Sequence, residues 1–402
     1  MKAISLLLFL CISCAGSLRA ESKSEPVDFD KARQLFERQR SGGALSDDEK
    51  AYLERAKAER AKQQPRAGST DGIDWPKAQA LYQREQRGEK LTADEQAYLN
   101  LAKEARKRGG GGGGGAPANQ RKAPESLRPL TDMSAEERYE GEDGGLYGGG
   151  KNAPPEPLVK AAAAALEQIK PIDGKIVLVS ISMSNATMEF STFKRIADAD
   201  RRKSDKLTIV DCAQGGQAMA EWVDPDGRPW QEAMQRIQRA SVGPEQVQVA
   251  WVKLANKAPS GSMKEHLAKL EADTTKVLQN AKSKFPNLRI AYLGSRIWAG
   301  NATGGLNPEP YAYESAFGVR HLIQQQMKGE PTLAEGKVPL LLWGPYLWAE
   351  GTKGRKLDSL KWEPQDFTVD GVHPSESGRE KVAQQLLEFF AGDPLAKSWF
   401  VK

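Results

Sequence analysis

The sequence predicts an α/β domain, a doubly wound five-stranded parallel sheet over residues 156–402, behind an N-terminal all-α repeat region. Three observations carry this expectation. From Pro157 onward, short apolar runs rich in β-branched residues alternate with longer runs of helical periodicity. Residues 27–108 repeat with a period of 46 and contain no strand-like run. Between the two lies an unbroken glycine run, Gly109–Gly115, followed by Ala, Pro, Asn and Gln.

The 402 residues suffice for two domains and one sizeable core. The formal charge of +5 is small for this length, and acidic and basic residues are interspersed, so no nucleic-acid footprint is visible. The first residues read as an export signal over 1–20. Lys2 supplies the charged start, Ile4 to Cys14 a short apolar run, and Ala15, Gly16 and Ala20 small residues suited to cleavage. That run is too short for a permanent membrane span. Cleavage after Ala20 leaves Cys212 as the single mature cysteine, which rules out an intrachain disulfide and a Cys-based metal site. Lipid attachment at Cys14 is the alternative, although Cys11 stands where such signals carry Leu.

The repeat spans 21–108. Val27-Asp28-Phe29 matches Ile73-Asp74-Trp75, Leu35-Phe36 matches Leu81-Tyr82, and Ala51-Tyr52-Leu53 matches Ala97-Tyr98-Leu99. Ser46 with Glu49, and Thr92 with Glu95, form capping-box patterns ahead of periodic apolar runs. Each repeat therefore reads as helix, Gly turn, helix. One apolar stripe per helix means that the hairpins pack on each other or on a partner. The functional reading is a wall- or protein-binding module, and the plainer one a solvated spacer. Residues 109–155, rich in Gly and Pro, read as a flexible linker.

In the C-terminal domain the strand-like runs are 175–181, 207–212, 246–254, 288–294 and 338–343. Helix-like runs cover 157–169, 187–199, 229–240, 263–283, 311–327 and 376–390. Nearly all-apolar strands indicate a parallel sheet covered on both faces, and such sheets bind ligands beyond the C-terminal ends of their strands. Polar residues converge on that edge. Ser182 and Ser184 follow the first strand, Asp211, Gly215 and Gly216 the second, and Asn256 the third. Ser295, Arg296 and Trp298 follow the fourth, Trp343 and Tyr346 the fifth, and Asp370 and His373 precede the last helix.

Over residues 175–392 this pattern resembles the SGNH, or GDSL-like, hydrolases, whose fold is a flavodoxin-like α/β sheet. Asp370-Gly-Val-His373 matches the family's Asp-x-x-His block, and Ser182-Met183-Ser184 stands where the family has Gly-Asp-Ser. Asp211 to Gly216 keeps the spacing of the second block and selects Gly216 over Gly215, while Leu254-Ala255-Asn256-Lys257 keeps only the Asn of the third. The resemblance implies an esterase without cofactor or metal, often acting on acetyl groups of carbohydrates. Ser184 is then the nucleophile, His373 the general base, and Asp370 the residue that orients it. The oxyanion is held by the Ser184 and Gly216 amides and the Asn256 side chain. The alternative is a glycan- or protein-binding protein that keeps the fold without catalysis.

Trp298, Trp343 and Trp348 fall near strand ends, where indoles either stack on a sugar or pack the core. Arg296 either binds a substrate carboxylate or phosphate or makes a structural ion pair. His266 and His321, on expected helices with no acidic or Cys partner at ligand spacing, read as surface or packing residues. Asn185-Ala-Thr and Asn301-Ala-Thr read as chance matches to the glycosylation pattern. The substrate partner is a small-molecule or polysaccharide ester; oligomeric state leaves no mark in the sequence.

Overall fold

In the computed structural model, residues 31, 35, 38, 46–63, 73–86, 89–108 and 120–402 are described. The expected leader with Cys14, most of the first helix of the first repeat, and residues 109–119 lie outside them. The chain divides into two compact units, Met1–Thr70 and Asp71–Lys402.

In the first unit, α1 (Asp47–Gln63) starts at Ser46. The Ser46 N–H donates to Glu49 Oε2 at 2.9 Å, and the Glu49 N–H donates back to Ser46 Oγ at 3.2 Å. Two donors of the helix start are thereby satisfied. Leu35, Leu53 and Ala56 form a small apolar cluster.

The second unit opens with a helical hairpin, α2 (Trp75–Gln86) and α3 (Ala93–Arg108). Thr92 and Glu95 exchange the same two bonds, at 2.9 and 3.2 Å. Arg84–Glu95 and Lys103–Glu85 tie the two helices together at 2.6 and 2.7 Å. Leu81, Tyr82 and Leu99 from this hairpin bury Val369, the residue before Asp370.

The body of the second unit is a five-stranded sheet: β1 (Ile176–Ser182), β2 (Leu207–Val210), β3 (Val247–Lys253), β4 (Ile290–Leu293) and β5 (Leu340–Trp343). All neighbours are parallel and the order is β2-β1-β3-β4-β5. Helices cover both faces, as the near-absence of polar strand residues requires. They are α4 (Glu156–Glu167), α5 (Ser184–Ala199), α6 (Met219–Val223), α7 (Arg228–Arg239), α8 (Met263–Lys284), α9 (Tyr311–Met327), α10 (Glu376–Gly392) and α11 (Lys397–Phe400). The short α6 and α11 are absent from the sequence reading; four or five residues carry too little periodicity to be seen. On one face Phe190 of α5 stacks on Trp251 of β3 at 5.5 Å, and Phe193 meets Phe390 of α10 at 5.5 Å. The chain runs from β1 outward to β2 and crosses back to β3. The crevice between the ends of β1 and β3 is thus the topological switch point.

The expected flexible linker is corrected over 120–155. This segment has little regular structure, yet Leu127, Leu130, Met133 and Leu146 are buried in the main core. Buried Arg320 of α9 donates to the Asp143 carbonyl at 2.8 Å and pairs with Asp143 and Glu142, while Trp343 Nε1 donates to the Leu146 carbonyl at 2.8 Å. Gly144 and Gly145 serve close backbone approach rather than freedom. A Cβ on Gly144 would stand 2.0 Å from the Met133 carbonyl oxygen, and Gly145 at φ +86° would place one 2.3 Å from Lys151 N.

Candidate active site

One residue, Met183, separates β1 from α5, so Ser184 stands in the first turn of a 16-residue helix. The first intrahelical bond there is Thr187 N–H to the Met183 carbonyl, at 3.0 Å. The amides of Ser184, Asn185 and Ala186 therefore have no carbonyl partner within the helix, and the positive end of its dipole faces the crevice. Beneath lies a satisfied floor. Ser182 is fully buried and its hydroxyl donates to the Lys253 carbonyl. Its own carbonyl accepts from Gln214 N and from Trp222 Nε1, each at 3.1 Å. Ser182, where the family resembled carries Gly, thus joins the ends of β1 and β3.

The second block is braced in the same way. Asp211 accepts from Ser180 Oγ at 2.6 Å and Thr187 Oγ1 at 2.5 Å, which fixes the turn after β2 against α5. Burial raises the Asp211 carboxyl above the usual range although both hydroxyls favour its charged form. Gly216 has φ +76°, a backbone shape that L side chains avoid, and lines the crevice.

The third piece is the loop before α10. Asp370 Oδ1 accepts from Thr368 Oγ1 at 2.6 Å and from the Val372 and His373 amides at 3.1 and 3.0 Å. These local bonds fold Asp-Gly-Val-His into a tight turn. Gly371, at φ +67°, fits under the Asn301 carbonyl oxygen, which a Cβ would approach to 1.9 Å. Asp370 Oδ2 then lies 2.6 Å from His373 Nδ1, and His373 Nε2 lies 2.7 Å from Ser184 Oγ. Asp370 is 6% exposed, while Ser184 and His373 are half-buried and reach the cleft. A continuous line of hydrogen bonds thus connects a buried carboxylate to a hydroxyl at a helix N-terminus.

A cleft of about 230 Å³ opens over Ser184 and His373, lined also by Asn185, Gly216, Asn256, Arg296 and Asn307 among others. Asn256 Nδ2 donates one hydrogen to Asp273 Oδ2 at 3.1 Å, which leaves its second hydrogen unassigned, and Oδ1 is buried without a partner. Lys257 pairs with Glu221 at 2.5 Å on the rim. Arg296 is 2% exposed and donates through Nη1 to Asn185 Oδ1 at 2.9 Å.

One sequence expectation needs correction. Trp298, Trp343 and Trp348 do not line the cleft. Trp348 is fully buried with Nε1 on Glu309 Oε1 at 2.8 Å, Trp343 holds the 120–155 segment and borders a different cavity, and Trp298 packs on Phe367. Their indoles fasten the loops behind the site. His266 and His321 are packing residues, as expected, and each is held by a carboxylate from a neighbouring helix, Glu314 at 2.9 Å and Glu271 at 2.8 Å. Asn185 is 2% exposed, which closes it to glycosylation in the folded chain.

Some site residues escaped the sequence reading. Asn307 reaches the cleft from the β4–α9 loop, and no motif marks it. Lys253 and Glu189 form a fully buried ion pair under the floor, at 2.7 Å, and burial pushes the lysine down to about 8. A lysine closing a fully buried strand run was the available signal. Glu309 accepts from the Ala299 and Tyr313 amides at 2.9 Å each, and burial raises it to about 7. Among the described residues no group of His, Cys, Asp and Glu could hold a metal ion.

A serine opening the helix after β1, an Asp-x-x-His turn facing it and an asparagine after β3 stand on a sheet of order 2-1-3-4-5. The fold is the doubly wound, flavodoxin-like parallel sheet expected from the sequence. No protein-family model matches the chain, and no curated protein does. Among solved structures, a Bacteroides fragilis protein assigned as an acylhydrolase is 13% identical with TM-score 0.34, over 59% of this chain and 97% of its own. A gut microbial diltiazem-metabolizing enzyme is 14% identical, TM-score 0.32, over 56% of this chain and 49% of its own. The periplasmic domain of a lipopolysaccharide acetyltransferase from Salmonella ser. Paratyphi A is 16% identical, TM-score 0.29, over 56% and 86%. The activity proposed below rests on none of these likenesses.

Proposed function

We propose that the chain is an exported serine esterase that hydrolyses an ester, of which an O-acetyl group on a carbohydrate is the leading example. The supporting observation is the line Asp370 Oδ2–His373 Nδ1 and His373 Nε2–Ser184 Oγ, at 2.6 and 2.7 Å, opening on a cleft. Asp370 holds Nδ1 protonated, so Nε2 is the lone-pair nitrogen that accepts the Ser184 proton. Ser184 Oγ attacks the ester carbonyl. The resulting oxyanion is met by the Ser184 and Gly216 amides and by the free hydrogen of Asn256 Nδ2. His373 passes its proton to the leaving alcohol; water, deprotonated by His373, then releases the acid and restores Ser184.

The test is turnover of 4-nitrophenyl acetate by the full chain, beside Ser184→Ala and His373→Ala. Loss of turnover by at least about 10⁴-fold in both, with unchanged far-UV spectra, is expected. Wild-type-level turnover by Ser184→Ala would end the proposal. A serine-reactive phosphonate labels Ser184 if the nucleophile works but the acetyl ester is the wrong substrate. Absence of label from a folded protein would favour a binding protein on the same fold. Export rests on Lys2 and the apolar run Ile4–Cys14. Cell fractionation, with the mass of the mature N-terminus, separates cleavage after Ala20, lipid attachment at Cys14 and retention.

A further inference from the structure

The charges around the cleft are one-sided. Of the residues that line it, Lys257 and Arg296 carry charge, both are cations, and none is a carboxylate. Lys257 has Glu221 on the rim. Arg296 is 2% exposed, and among the described residues it makes no ion pair; its one side-chain bond goes to the neutral Asn185 amide. Burial pushes its guanidinium down to about 10, so it remains a cation at neutral pH.

A buried cation is costly unless it is paired and hydrogen-bonded. Elsewhere this protein meets that requirement: the equally buried Lys253 lies between both oxygens of Glu189. Arg296 sits beside that pair and lacks the equivalent. Glu189, Glu309 and Asp370 act on it only through space. The polar lining is also left incomplete. Arg296 Nε, Asn185 Nδ2, Asn256 Oδ1 and Asn307 Oδ1 are buried without partners, and all four residues border the cleft. Unsatisfied groups are rare in native interiors, and four on one cleft call for a group that completes them.

We infer that the ester taken by this cleft carries a carboxylate, and that Arg296 is the specificity-determining residue that meets it. The inference rests on the hydrolase reading for the word ester, but not for the anion site itself. The carboxylate supplies the charge that Asp or Glu supplies to every other buried cation described above. Arg, with its delocalised and weakly hydrated charge, suits the task better than Lys. The amides of Asn185, Asn256 and Asn307 fit the hydroxyls and carbonyls around it.

The test compares two matched pairs of esters with the full chain. 4-Acetoxybenzoate and 4-acetoxybenzamide place the charge, or its neutral counterpart, on the alcohol. Monoethyl succinate and ethyl succinamate place it on the acyl group. At least one anionic member should exceed its neutral partner about tenfold or more in kcat/KM, chiefly through KM, and Arg296→Gln should collapse that ratio toward one. Arg296→Lys should retain part of it. Equal turnover within both pairs, or an anion-to-neutral ratio untouched by Arg296→Gln, overturns the inference while leaving an esterase. Calorimetry of the four compounds on Ser184→Ala separates the other failure. Arg296-dependent binding of an anionic member, with no turnover by wild type and no phosphonate label on Ser184, keeps the anion site and ends the hydrolase reading. If none binds, none is turned over and the phosphonate leaves Ser184 unlabelled, both are lost.

Discussion

The chain has three histidines, and each lies beside a carboxylate: His373 with Asp370 at 2.6 Å, His321 with Glu271 at 2.8 Å, and His266 with Glu314 at 2.9 Å. Their second ring nitrogens differ. His373 Nε2 meets Ser184 Oγ at the floor of a cleft. His321 Nε2 meets a second carboxylate, Glu142, at 3.3 Å. His266 Nε2 is buried with no partner, and the ring stands edge-on to Tyr311 at 5.0 Å. An imidazole beside an acid is therefore no catalyst in itself. With a hydroxyl on the far nitrogen it can move a proton. With a second carboxylate it is a cationic clamp, and packed on an aromatic ring it is a fastener.

The sharpest way to test that contrast is to disturb each acid in turn. Asp370→Asn keeps the size of the side chain but presents an amide to Nδ1, favouring the tautomer with a proton on Nε2. That ring cannot accept from Ser184, and ester turnover should fall about 10⁴-fold with the fold intact. A loss under tenfold would place His373 among the fasteners. Glu314 offers the opposite expectation. It is fully buried, pairs with Arg121, and accepts from Tyr139 at 2.9 Å as well as facing His266. Glu314→Ala leaves Arg121 only the exposed Glu140 at 3.4 Å, strips Tyr139 and His266 of their buried partner, and should cost about 3–5 kcal/mol in denaturant unfolding. Turnover per folded molecule should hold. If turnover fell as steeply as stability held, the two pairs would have exchanged roles.

Asn256→Ala sharpens the site itself. Loss of one oxyanion donor should lower kcat by about 10²–10³ with little change in KM; a rise in KM alone would make Asn256 a binding residue. The smallest effect concerns His321. Burial lowers its proton affinity, but the bond and charge of Glu271, then Glu142, outweigh burial and raise it. Above pH 6.5 the folded chain then binds the proton that the unfolded chain gives up. This contribution to stability is whole below pH 6.5 and is lost as pH rises through the raised value. Melting curves of wild type and His321→Asn should differ more at pH 6 than at pH 9. The same gap at both would remove the clamp.

Much of the frame was legible in the chain. Apolar β-branched runs announce buried parallel strands because no water-facing side is left for polar residues. Their succession with helices announces a doubly wound sheet; the ends of those strands locate Ser184, Gly216, Asn256 and Arg296, and the start of the last long helix locates Asp370 and His373. Other features were hidden for identifiable reasons. Glycine-rich 120–155 looks like a linker because composition cannot separate freedom from close backbone approach, and Gly144 and Gly145 are of the second kind. Tryptophans near strand ends look like sugar platforms because proximity in sequence does not say which way an indole turns. Trp348 turns inward to Glu309.

Local order along the chain determined which elements form, where the helices cap, and that Asp370 and His373 share a turn, since all of these are decided within a few residues of backbone. Pairing across long separations belonged to the tertiary structure. Ser184 and His373 are 189 residues apart, and only the crossing from β2 back to β3, with α5 and α10 packed on one face, brings them to 2.7 Å. The same packing gave Lys253 its glutamate and left Arg296 without one. A side chain's charge is written in the sequence; its compensation is set by whichever neighbours the fold delivers.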